Sequence, residues 1–247
     1  MNLKMLIYKM QNKFLPKTIK SSKYIEILRM NNVKIGEGTY FFSPSSTIID
    51  YTRPYLLEIG KYCKITSGVK VLTHDYSRSV LRLKYGDIIG EAKKTVIGDN
   101  VFIGVDSIIL MGAQIGNNVI IGAGSVVSGK IPDNVVVAGN PAKVIRTLDE
   151  HYKIRKEKTI LEAKEYAKEF IKNRGDFTIN EMGAFFPQYL ERNLEQIEKN
   201  HINIRLNGDD VNDIKEKFLN SKAYYKNFNE FKTIVKKEME GIDEKWK

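Results

Sequence analysis

The sequence is poor in thiols, in histidine and in long apolar runs. Its 247 residues include one cysteine, Cys63, one tryptophan and three histidines. A single cysteine excludes an intrachain disulfide framework and suits a reducing compartment. No stretch approaches the ~20 apolar residues that a membrane-spanning helix needs. The start, "MNLKMLIYKMQNKFLPKTIKSSKYIEILRM", has only a short broken apolar run and no small-residue cleavage site, so a signal peptide is not expected. These absences together lead us to expect a cytoplasmic protein.

The charge is uneven. The net charge of +10 is concentrated in residues 1–34, which carry eight Lys/Arg against one Glu. Residues 149–247 balance at twenty of each sign. A basic N-terminal segment suits a solvated amphipathic helix or a weak contact with an anionic membrane surface. No helix-turn-helix, zinc-finger or RNA-binding signature accompanies it, so nucleic acid is not an expected partner.

A six-residue repeat is present. From Ile97 an aliphatic residue recurs as Ile103, Ile109, Ile115, Ile121 and Val127, with Gly following at 98, 104, 116 and 122. Six such hits in a row arise by chance on the order of once in several thousand trials, so the period is real. Neither a 3.6-residue helix nor simple alternation explains it. The period suits a narrow coil in which each unit is one short strand and one turn. The aliphatic points inward, and the position four later (Val101, Ser107, Ala113, Val119, Ser125, Ile131) sits near a corner that admits mostly small side chains. Gly and the asparagines Asn100 and Asn118 supply turns with positive φ. Ile35, Phe41, Ile59, Ile65 and Val71 keep the same phase. Between them "SPSSTIIDYTRPYL" reads as a degenerate coil bent at Pro44 and Pro54. The phase breaks between Val71 and Ile97, so an excursion leaves the coil over about residues 75–95, just after His74.

These units resemble the hexapeptide-repeat acyltransferases, and "VVVAGNPAKVIR" (135–146) looks like the last coil and exit segment of their galactoside, maltose and xenobiotic acetyltransferase branch. The resemblance implies a mainly β protein built on a left-handed parallel β-helix. It covers residues 34–146, with an N-terminal helical cap (1–33) and a C-terminal helical accessory domain (147–247). It also implies a homotrimer with active sites between subunits, and acetyl-CoA as acyl donor with no metal required.

By the same resemblance, His74 stands where the family places its general base, at the start of an extruded loop. Imidazole suits that task, because its unperturbed pKa near 6.5 leaves it free to accept a proton at neutral pH. Phe102, Gly104, Val105 and Ala123 match positions that meet the acyl donor. Phe102 stands where the family often has tryptophan, and Val105 and Ala123 act through backbone N–H groups. Lys143 and Arg146 match basic residues that meet the nucleotide phosphates. Acceptor-binding candidates are Asp50, Tyr51, Arg53, Asp75 and Tyr76, joined by Ser77 and Arg78 in the loop. An acid that orients His74 is expected, but the sequence does not identify it. Cys63 occupies a small interior position and is expected to pack. His151 and His201 are expected to be exposed or structural.

The implied function is O-acetylation of a sugar hydroxyl in the synthesis of a surface polysaccharide or a glycan precursor. Acetylation of a xenobiotic or an aminosugar fits the same loop histidine. A zinc carbonic anhydrase on this fold needs three histidine ligands on adjacent coils, and residues 97–146 contain none. A non-catalytic scaffold predicts no binding of CoA. Beyond Arg146 the pattern turns helical, with apolar faces at Ile160, Ala163, Ala167, Phe170 and Ile171, and at Phe228, Phe231, Ile234, Val235 and Met239.

Overall fold

Strands of two residues cannot hold themselves together, so their stability comes from stacking on neighbouring rungs. The computed structural model describes residues 19–189, 192, 193, 195 and 207–243. It divides into two compact units, Met1–His151 and Tyr152–Lys247. In the first unit the strands visit three parallel sheets in strict rotation. One sheet holds β1 (Lys34–Ile35), β4 (Leu57–Ile59), β7 (Thr95–Ile97), β10 (Gln114–Ile115) and β13 (Lys130–Ile131). The second holds β2 (Tyr40–Phe41), β5 (Lys64–Ile65), β8 (Phe102–Ile103), β11 (Ile120–Ile121) and β14 (Val135–Ala138). The third holds β3 (Ile48–Ile49), β6 (Lys70–Val71), β9 (Ile108–Ile109) and β12 (Val126–Val127). The last strand, β15 (Lys143–Thr147), turns back antiparallel on β14 and closes that sheet.

The inward aliphatics stack in columns. Ile65 pairs with Ile103, Ile103 with Ile121 and Ile121 with Val137, and all four are fully buried. The small corner residues Val101, Ser107, Ala113, Val119 and Ser125 are also fully buried. The hydroxyls of Ser107 and Ser125 both donate to the carbonyl of Gly122, which satisfies them inside the coil. Cys63 is buried, and burial pushes its thiol pKa up. Asn100 and Asn118 adopt φ of 54°, as their turn positions require, and their amides form a ladder that continues to Asn134. The glycine beside Asn100 has a different role. A Cβ on Gly98 would lie 2.6 Å from the carbonyl oxygen of Gly116 in the next rung, so only glycine allows the rungs to approach.

Two register details depart from the regular period. The degenerate coil places Ile49 beside Val71, so the chain advances eight residues from Phe41 and ten more to Ile59. Short 3₁₀ turns at Pro44–Ser46 and Pro54–Leu56 take up the extra length. At the far end Ile131 is itself an inward strand residue, paired with Ile115, because the turn after Val127 is two residues short.

Helix α1 (Ser21–Met30) covers the first rung with Tyr24, Ile25, Ile27 and Leu28. Tyr24 packs edge-on against Phe41, and the Ser21 hydroxyl accepts from the Phe41 N–H. The chain from 1 to 18, with four of the eight basic residues of the N-terminal segment, lies outside the described residues.

The excursion carries helix α2 (Arg78–Tyr85) and ends at Lys94, because Thr95 already belongs to β7. Helix α3 (Leu148–Arg174) opens on a capping box: Thr147 Oγ1 accepts from the Glu150 N–H, while the Glu150 carboxylate accepts from the Thr147 N–H. In the second unit α3, α4 (Val211–Leu219) and α5 (Phe228–Asp243) accompany a 3₁₀ turn at Gly183–Gln188. Its core is Ala163, Ala167, Phe177, Met182, Tyr189, Tyr225, Phe231 and Val235. Ala163 and Ala167 lie on the apolar face expected of α3. Lys164 and Lys168 both pair with Glu238 of α5. Among the described residues no helix is long and apolar enough to cross a membrane.

Candidate active site

Sheet register explains how residues 50 and 74, distant in sequence, come together. Ile49 pairs with Val71, and the Asp50 N–H donates to the Val71 carbonyl. Each strand ends at the same corner, so Asp50 faces the segment Thr73–His74. His74 Nδ1 lies 2.6 Å from Asp50 Oδ2, with the imidazole side chain 31% exposed. Asp50 is only 9% exposed.

The carboxylate is fully engaged by protein donors. Oδ2 accepts from the Thr73 N–H at 3.1 Å and from the Thr73 hydroxyl, in addition to His74. Oδ1 accepts from the Thr52 hydroxyl at 2.6 Å and from the Thr52 N–H at 3.2 Å. Burial alone would raise the pKa of this acid. The hydrogen bonds from Thr52, Thr73 and His74 outweigh it and lower the pKa from 3.8 to about 2. An ionised carboxylate only accepts, so Nδ1 carries the proton it donates. In the neutral imidazole Nε2 is then the nitrogen with the free lone pair.

Asp50 was expected to meet the acceptor. It is instead buried behind His74, with both oxygens taken. The roles of Thr52 and Thr73 were not foreseen. The register of Ile49 on Val71 is the signal that could have found all three, and the two extra residues after Phe41 hid it.

The depressed pKa of Asp50 gives a pH prediction. A group whose folded value lies below its unfolded value stabilises the fold above the unfolded value and loses that contribution as pH falls through the folded one. Asp50 therefore contributes on the order of 2 kcal/mol above about pH 4, lost progressively toward pH 2. Urea unfolding of wild type and Asp50→Asn from pH 7 to pH 2 should show a constant gap down to about pH 4, and a narrowing gap below it. A gap that stays constant to pH 2 contradicts the assignment.

The excursion is tied at its neck. The Lys93 N–H donates to the Thr73 carbonyl, Thr95 Oγ1 donates to the Leu72 carbonyl, and Arg53 Nη1 donates to the Glu91 carbonyl at 2.8 Å. Arg53, an expected acceptor contact, thus acts as a strap on the excursion. Tyr51 is half-buried against the core. Asp75 is exposed, and its Oδ1 accepts from the Ser77 N–H and hydroxyl. Tyr76 is 59% exposed.

The residues expected at the acyl donor lie on the rungs that follow. Phe102 points outward from β8, and Val105 is exposed at the turn after it. A Cβ on Gly104 would lie 2.5 Å from the Ala123 nitrogen, so glycine permits these two turns to stack. The Val105 carbonyl accepts from the Gly124 N–H. The N–H groups of Val105 and Ala123 are absent from the hydrogen bonds that join the rungs, so both can donate to a ligand. Lys143 is exposed and Arg146 half-buried on β15.

His151 lies in the first turn of α3, and its buried Nδ1 has no hydrogen-bond partner. His201 lies outside the described residues. Among the described residues no three His, Cys, Asp or Glu side chains cluster so as to hold a metal ion.

Residues 94–129 match the family model described as bacterial transferase hexapeptide (six repeats). The chain is 42% identical to protein CapG of Staphylococcus aureus over 57% of its own length and 78% of that protein. It is 34% identical to a putative lipopolysaccharide biosynthesis O-acetyl transferase, WbbJ, of Escherichia coli, over 48% of this chain and 66% of that one. A galactoside O-acetyltransferase of Escherichia coli is 35% identical over 49% of this chain and 59% of its own. The chain belongs to the bacterial hexapeptide-repeat transferase family. Within that family it is an acyltransferase.

Proposed function

We propose that the protein is an acetyl-CoA-dependent O-acetyltransferase that acts on a sugar hydroxyl, with His74 as general base. The observation that carries this reading is the buried Asp50 carboxylate against Nδ1 of His74, which leaves Nε2 as proton acceptor. Nε2 takes the proton of the acceptor hydroxyl as its oxygen attacks the thioester carbonyl carbon. The Val105 and Ala123 N–H groups suit the donor's carbonyl and amide oxygens. The protonated imidazole then returns its proton to the departing CoA sulfur, so His74 ends as it began. Buried Cys63 is unsuited to carry an acyl group, which favours direct transfer from donor to acceptor.

The sugar acceptor draws support from relatives named for galactoside and lipopolysaccharide acetylation. A surface polysaccharide or glycan precursor, made in the cytoplasm, is the substrate class we infer. We also infer a left-handed coil and a homotrimer whose active sites lie between subunits, in keeping with the period and the family. The excursion suits such a contact, because Val80, Leu83, Ile88 and Ile89 expose apolar surface on it.

Calorimetry with acetyl-CoA, followed by thiol release in the presence of sugar acceptors, tests the reading. Saturable binding and acceptor-dependent release of one thiol per ester formed are expected. No binding of acetyl-CoA would contradict it and favour a scaffold.

A further inference from the structure

The excursion that follows His74 carries positive charge that its own carboxylates do not neutralise. Arg78 and Arg82 gather on one aromatic ring: their guanidinium carbons lie 5.0 and 5.8 Å from the centroid of Tyr76. Arg82 also donates to the Tyr76 hydroxyl at 3.1 Å, and Arg78 Nη1 donates to the Asp75 carbonyl at 2.6 Å. Among the described residues neither arginine forms an ion pair with a carboxylate. Asp75, the acid nearest in sequence, is turned onto Ser77 instead. The Arg82 hydrogen bond and then the charges of both arginines lower the phenol pKa, which shows that they act on the same ring.

Each contact fixes one part of a guanidinium and leaves further N–H donors open. A guanidinium has five N–H groups in a planar fork, and carboxylate and phosphate match that fork. The two arginines follow the base by four and eight residues, and both lie on α2, so their spacing is set by one helical turn. A neutral sugar would need hydroxyl partners and a ring face here. It would leave both guanidinium forks without a carboxylate or phosphate to match them.

We propose that Arg78 and Arg82, arranged on Tyr76, form an acceptor subsite for a negatively charged sugar, one that bears a carboxylate or a phosphate. The inference rests on the reading of His74 as base in acetyl transfer to a sugar, and it adds the charge class of that sugar. The two arginines determine specificity and take no part in moving the proton.

The test measures kcat/KM for three acceptors, galactose, galacturonate and galactose 1-phosphate, at low ionic strength. Wild type should prefer at least one anionic sugar over galactose by about tenfold or more, and the preference should shrink with added salt. The identity of the preferred anion separates a uronic acid from a phosphorylated sugar. In Arg78→Gln/Arg82→Gln the ratio of anionic to neutral kcat/KM should collapse toward one. Arg78→Lys/Arg82→Lys should restore part of it, which a merely structural role would not do. The loss should fall on the KM of the anionic sugar. Equal use of the three sugars, no use of either anionic one, or a loss confined to the KM of acetyl-CoA overturns the proposal. Failure of the underlying reading is seen separately, as turnover that survives in His74→Ala.

Discussion

His74→Ala should lower kcat by at least about 10²-fold, within the 10²–10⁴-fold range that a positioned base contributes. The protein should still fold and bind acetyl-CoA. His74 lies outside the columns of buried aliphatics, and Asp50 keeps its donors from Thr52 and Thr73 when the imidazole is removed. Calorimetry with acetyl-CoA and a melting curve check the folded state, and thiol release with acceptor gives the rate. Near wild-type turnover in a folded variant would contradict the role of His74.

The second large effect belongs to a residue that touches no substrate. Asp50→Asn should lower kcat by about 10²-fold or more while the KM of acetyl-CoA changes little. Asp50 accepts five hydrogen bonds, three on Oδ2 and two on Oδ1. An amide has one acceptor oxygen and turns donors toward donors at the other position. Nδ1 then loses its carboxylate, and the imidazole is free to carry its proton on Nε2, where it cannot take another. A purely structural role would lower thermal stability and leave kcat of the folded fraction unchanged. A fall in kcat at temperatures where the variant is fully folded separates the two.

Much of this architecture was legible because a six-residue period has few physical explanations. The period marked Ile97 to Val127 as inward-facing, and those residues line the interior of the coil. The break in the period lies between β6 and β7, where the chain carries α2, because a solenoid interrupted for about twenty residues must extrude a loop. The failures share one cause. Where turns change length, at Pro44, Pro54 and Gly129, the period no longer reports register. Ile49 was therefore not seen to pair with Val71, and Asp50 was assigned to the acceptor. The strap formed by Arg53 was hidden for a similar reason, since its partner is a backbone carbonyl 38 residues away. Thr147 and Glu150 are different: their spacing is a local capping signal, and "TLDE" could have fixed the start of α3. The donor role proposed for the Val105 and Ala123 N–H groups rests on resemblance, because side-chain identity carries no information about a backbone N–H.

The central claim is that Asp50 fixes the proton of His74 on Nδ1 and leaves Nε2 free to accept one. Nitrogen-15 NMR of the histidine rings, measured above the pH at which imidazole is protonated, reads that arrangement directly. The account predicts a protonated Nδ1 and an unprotonated Nε2 for His74 in wild type, with the order reversed or mixed in Asp50→Asn. A wild-type His74 that carries its proton on Nε2 would contradict it.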